Sequence, residues 1–126
     1  MTMTAEKSGF RFREWDIYID SRIFRKRIIV LLKNFPPEEK YALTIQARRA
    51  LNSIILNIAE GANRFTDKDT RVFINRAHTS LDEVVACMDC ALDDSHITQV
   101  QHNEIIDFSN SLAKRFRKFF NHLSSS

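Results

Sequence analysis

Residues 35–64 read FPPEEKYALTIQARRALNSIILNIAEGANR. Pro36 and Pro37 suit the first turn of a helix, where a missing N–H costs nothing. After them, Leu43, Ala47, Ala50, Leu51, Ile54 and Ile58 recur at the three-and-four spacing that puts apolar side chains on one helix face. Gly61-Ala62-Asn63 closes the run, with Gly61 suited to a left-handed C-cap. The stretch predicts a helix over 37–62 with one face in a core.

The same periodicity extends to both sides. Ile17, Ser21, Phe24, Ile28, Leu31 and Phe35 form a stripe before it. Phe73, Ala77, Leu81, Val84, Met88 and Ala91 form one after it, and Ile105, Ser109, Leu112, Phe116, Phe119 and Leu123 form another. Thr66 followed by Asp69, and Thr98 followed by Gln101, have the spacing of capping boxes that satisfy orphan amides at helix starts. Helices are therefore expected at 13–34, 37–62, 66–92 and 98–123, each roughly 33–40 Å long at about 1.5 Å per residue. Equal lengths and short loops favour antiparallel neighbours, so the fold class is all-α, an antiparallel up-down-up-down four-helix bundle. The expected organisation is a flexible N-terminal tail at 1–12, the bundle at 13–123 and a disordered C-terminus at 124–126.

Composition agrees. The chain has 126 residues, 44% hydrophobic and 28% charged, which suits one globular domain. With two Gly, two Pro and two Cys, turns are few, and glycine-dependent nucleotide folds and disulfide scaffolds are disfavoured. The longest aliphatic run, Ile28 to Leu32, is far short of the ~20 residues that span a bilayer. No secretory signal is legible in MTMTAEKSG, so a cytoplasmic protein without membrane attachment is expected.

Helices one and two carry more apolar residues than one stripe uses. Trp15, Ile19, Ile23, Ile29 and Val30 on the first, and Ile45, Ile55, Leu56 and Ala59 on the second, fall away from the core stripe. Soluble monomers seldom expose such contiguous faces, which points to a subunit interface. Ile19, Ile23, Val30, Ile45, Leu56 and the neighbouring Arg48 and Arg49 are its candidates. The competing view is a central second helix with scattered surface residues on the first.

Chemistry is sparse. Cys87-Met88-Asp89-Cys90 has the spacing of half a zinc site, but a second pair is missing, and His78, His96, His102 and His122 show no ligand spacing. Di-iron bundles need repeated Glu-x-x-His, and only Asp93 with His96 comes near it, in an expected loop. Glu60, Asp82 and Glu83 fall on exposed positions where carboxylates are solvated. No catalytic residue, metal site or cofactor is expected, so the chain is not read as an enzyme.

Charge becomes informative once the bundle is drawn. The end holding the N-terminus, the 61–66 turn and the C-terminus gathers Arg11, Arg13, Arg64, Lys68, Arg71, Arg76, Lys114, Arg115, Arg117 and Lys118. Glu14, Asp16, Glu60, Asp67 and Asp69 are the acids at that end. This excess suits a phosphate backbone, although cations in the last turns of helix four also complement the helix dipole. Phe10, Phe12 and Phe65 among the charges are suited equally to base stacking and to core anchoring.

Phe35-Pro36, Glu39, Tyr41, Leu43-Thr44, Gln46, Arg48-Arg49-Ala50, Ser53-Ile54, Asn57-Ile58-Ala59-Glu60-Gly61 and Arg64 form a specific combination. With Trp15, Phe73, Ala77, Ser80-Leu81 and Glu83 it resembles the bacterial proteins named after open reading frames in intervening sequences of large-subunit ribosomal RNA genes. The resemblance implies a four-helix bundle, commonly a ring-shaped homopentamer, with no established enzymatic activity and a connection to nucleic acid. Accessory proteins of diversity-generating retroelements resemble that family, and they work with a reverse transcriptase and its template RNA. Two departures stand out. Thr79-Ser80 replaces the usual Gly-Ser, which predicts a looser helix crossing, and Ile23 and Val30 replace polar residues. Asn57, Glu60 and Gly61 are expected to act structurally, with Asn57 and Glu60 bonding the following turn through Arg64. The expected function is a noncatalytic oligomer that binds nucleic acid, RNA rather than DNA, through its basic end. The alternative is a protein-interaction scaffold or accessory subunit, for example for a reverse transcriptase.

Overall fold

The structure, a computed structural model, describes residues 9–39 and 42–125. Residues 1–8 of the expected tail, Lys40, Tyr41 and Ser126 lie outside the described residues. Four helices follow in order: α1 Asp16–Leu32, α2 Leu43–Ala62, α3 Asp67–Asp93 and α4 Gln99–His122. Each packs on the next and α4 returns to α1, closing an antiparallel four-helix bundle around one core. The stripes read from the sequence face inward. Phe24, Ile28, Leu51, Ile54, Ile58, Leu81, Met88, Leu112 and Phe116 are fully buried, while Leu31, Leu43, Phe73, Phe119 and Leu123 are half-buried at the margin. Ile74, absent from the expected stripe, joins the core.

Helix starts differ from expectation where tertiary packing overrides local pattern. A 3-10 turn, Arg11–Glu14, precedes α1, and Trp15 between them is extended (φ −70°, ψ 134°). That kink lets the indole lie 4.7 Å from the Phe119 ring on α4. Trp15 thus packs on the core margin rather than on the outer face, and Ile29 is likewise half-buried against it. Pro37 opens only a 3-10 turn, Pro37–Glu39, and α2 begins at Leu43 after Ala42 leaves the helical region (φ −125°, ψ −103°).

The two capping patterns are realised unequally. Thr98 accepts from the Gln101 amide at 3.1 Å and Gln101 Oε1 accepts from the Thr98 amide at 2.9 Å, a complete box. Thr66 caps α3 by accepting from the Asp69 amide at 3.1 Å. The reciprocal bond is absent there, since Asp69 is one methylene shorter than Glu or Gln.

The α3–α4 turn ends in a Schellman arrangement. His96 N–H donates to Ala91 O at 2.8 Å and Ser95 N–H to Leu92 O at 3.0 Å, with Ser95 at φ 62°. A side chain in that region costs about 1 kcal/mol that glycine avoids. Ser95→Gly is therefore expected to raise the melting temperature by roughly 4 °C, read by circular dichroism at 222 nm. An unchanged or lower melting temperature contradicts it.

Candidate functional site

The α2–α3 corner is built by close approach. Gly61 is buried inside α2, and a Cβ there would sit 2.9 Å from Phe73 Cβ and 3.4 Å from Thr70 O. Among the described residues Gly9 is the glycine with positive φ, so Gly61 does not act as the left-handed cap expected of it. It is the residue that lets α3 pack against α2. Thr70 Oγ1 donates to Gly61 O at 2.9 Å and holds the contact.

One turn back along α2, Asn57 Nδ2 donates to Ser53 O at 2.8 Å and to Ser53 Oγ at 3.0 Å. Ser53 Oγ lies 2.8 Å from Ser80 Oγ, and Ser80 Oγ is 3.1 Å from Arg76 O. With Ser80 donating to that carbonyl, Ser53 donates to Ser80 and accepts from Asn57, so the chain of bonds runs one way. Asn57 therefore braces Ser53, whose bond to Ser80 ties α2 to α3, and it does not bond the 61–66 turn. Glu60 is exposed and makes no bond among the described residues, and Arg64 turns instead to Phe73. Ser80 of the Thr79-Ser80 pair is the α3 partner in this crossing, buried at 5% exposure.

Among the described residues, the start of α1 and the end of α4 meet at the pole that holds the α2–α3 turn. Ser124 N–H donates to Asp67 Oδ2 at 2.9 Å, and Trp15 packs on Phe119. Here the structure sorts the ten basic candidates. Arg115 is occupied by Asp20 at 3.1 Å and Asp16 at 3.8 Å. The Arg71 guanidinium lies 4.1 Å over the Phe120 ring. Arg64 and Arg76 lie 5.1 and 4.9 Å from the Phe73 ring centre. Such stacking contributes about 0.5–1 kcal/mol each at exposed sites and fixes where the guanidinium sits. Arg11, Arg13, Lys68, Lys114, Arg117 and Lys118 are exposed, with Lys114 and Lys118 beside Glu14 and Asp16 in an open groove between α1 and α4. Phe65 is fully exposed and Phe10 largely so, whereas Phe12 packs 4.9 Å from Tyr18. Phe73 and Phe120 as guanidinium platforms were missed in the sequence. The Phe73/Arg76 spacing was a usable signal, but Arg71 over Phe120 depends on the α3–α4 contact.

The interface candidates lie on the outside of α1 and α2 but not in one patch. Ile19, Ile23 and Leu56 are exposed along the groove between the two helices, half-buried Ile45 and exposed Arg48 border the 33–37 connection, exposed Val30 borders Phe108 on the α1–α4 side, and Arg49 is exposed on α2. Arg25 Nε donates to Asn52 Oδ1 at 2.9 Å across the groove between the two helices.

Among the described residues no His, Cys, Asp or Glu group is arranged to hold a metal ion. Burial pushes the Cys87 thiol above its usual value, helped by Cys90 and Glu83, which is the reverse of an activated nucleophile. No described helix is long and apolar enough to cross a membrane.

A four-helix bundle with a tied α2–α3 crossing and basic side chains near the α2–α3 turn defines a helical-bundle module. The family model described as 23S rRNA-intervening sequence protein matches residues 13–118, and the chain belongs to that family, which is not known to be enzymatic. A crystal structure of a protein of unknown function from the S23 ribosomal protein family of Bacteroides thetaiotaomicron VPI-5482 has the same fold. It aligns with a TM-score of 0.75 at 22% identity, covering 82% of this chain and 97% of that one. No curated protein matches the chain.

Proposed function

We propose that the protein is a cytoplasmic, noncatalytic ring oligomer, with a pentamer favoured by its family resemblance, that binds RNA through the basic residues of this pole. The supporting observation is the set of arginines held in place on Phe73 and Phe120, with Lys68 and Arg117 exposed on the same two helices and Lys114 and Lys118 exposed in the neighbouring α1–α4 groove. Guanidiniums anchored on one face keep the other face for phosphates or bases, at little further cost in side-chain entropy. The family's description links it to an rRNA insertion, which favours RNA over DNA as the ligand.

Neutralising several phosphates releases counterions, so affinity for single-stranded RNA is expected to fall steeply with salt, by about 0.7 log units per log unit of salt for each phosphate engaged. Filter binding from 50 to 200 mM salt checks it. A steep negative slope supports the reading, and absent or salt-independent retention contradicts it. The exposed aliphatic α1–α2 face supports a second reading, a scaffold for a protein such as a retroelement reverse transcriptase, and in that case the filter retains no RNA.

A further inference from the structure

Charge in this chain is divided across the bundle as well as along it. From Ser21 to Pro37 and from Ala42 to Ala59 there are Lys and Arg but no Asp or Glu, whereas from Ala77 to Ala113 there are Asp and Glu but no Lys or Arg. The first two segments belong to α1, α2 and their connection, and the third to α3 and α4. Over the middle and the far half of the bundle, one side is therefore basic and the opposite side acidic.

The two sides are level with one another. The Arg27 guanidinium lies 5.1 Å from the Phe108 ring centre, so Asp107 stands at the height of Lys26. Ser53 meets Ser80, so Asp82, half a turn further along α3, stands near the height of Arg49 on the antiparallel α2. Arg22, Lys26 and Arg49 are exposed beside Ile19, Ile23 and Leu56, and Asp82, Asp93 and Asp107 are exposed on the other side.

We infer that the α1–α2 face docks the α3–α4 face of a second copy of this chain, head to tail. The inference rests on the ring reading above and names the surfaces that form the ring. Two basic faces brought together repel, as do two acidic ones, which disfavours a two-fold contact. Unlike faces attract, and the aliphatic side chains on the basic face leave water on contact. A head-to-tail contact about an axis along the bundle closes into a ring and turns every cationic pole toward the same side.

The test uses three full-length variants, Arg22→Glu/Lys26→Glu/Arg49→Glu, Asp82→Lys/Asp93→Lys/Asp107→Lys and the chain carrying all six reversals, followed by sedimentation velocity and circular dichroism. The native chain is expected to sediment as an oligomer. Each one-face variant is expected to sediment at the single-chain mass of 14.7 kDa with native helicity, and the chain with all six reversals to regain the native size, because both of its faces are reversed and complement each other again. An oligomer that survives either one-face reversal, or a six-reversal chain that stays monomeric, overturns the pairing while leaving the ring reading intact. A monomeric native chain overturns both, including the case in which the basic-face reversal abolishes RNA retention by that monomer. If a triple variant loses helicity, the single pair Lys26→Glu and Asp107→Lys gives the same comparison, with a tenfold or greater weakening expected for each alone and recovery in the Lys26→Glu/Asp107→Lys double variant.

Discussion

Gly61→Val is expected to lower stability by about 3 kcal/mol and the melting temperature by roughly 10 °C. The new Cβ alone would stand 2.9 Å from Phe73 Cβ and 3.4 Å from Thr70 O. Both are fixed to the α3 backbone, so no rotamer change relieves the overlap and α2 and α3 must separate. Separation also stretches the bond from Thr70 Oγ1 to Gly61 O, now 2.9 Å. Valine gains a few tenths of a kcal/mol in helix propensity over glycine, too little to offset the clash. Thermal melting followed at 222 nm measures the difference. A variant that melts with the native protein shows that the corner is not closely packed.

The bundle itself was legible because its helices are amphipathic in a single register. The α2 stripe of Ala47, Ala50, Leu51, Ile54 and Ile58 needs only periodicity to be found, and each of these residues is buried. Thr98 and Gln101 likewise form their box within one turn of chain. What escaped the sequence depends on a partner elsewhere. Gly61 sits where a terminating glycine belongs, and only Phe73 approaching from α3 makes it a contact residue. Asn57 and Ser53 read as a polar edge of α2 until Ser80 arrives to complete the chain of bonds. Trp15 has the spacing of an outer-face residue, but the extended backbone before α1 swings it onto Phe119. At the pole only which cations stand near the α2–α3 turn was readable from antiparallel topology. Arg115 being taken up by Asp20, and Arg71 by Phe120, was not, because both pairings cross between helices.

Reversal of Arg71, Lys114 and Arg117 to glutamate in one chain is expected to weaken RNA binding by about 10²-fold or more near 0.1 M salt. Arg71 holds its guanidinium over Phe120, while Lys114 and Arg117 are exposed along α4 toward the same pole. None of the three is in the salt bridges formed by Arg115 with Asp16 and Asp20, so helicity should be retained. Three lost phosphate contacts lower the salt slope by about 2 on single-stranded RNA, and the introduced carboxylates add repulsion. The decisive measurement is a side-by-side RNA titration of the native and reversed chains over a range of salt, with sedimentation confirming equal size. A large fall in affinity with a flatter slope is the predicted result. Equal affinity and equal slope in the two chains would contradict a cationic RNA-binding pole.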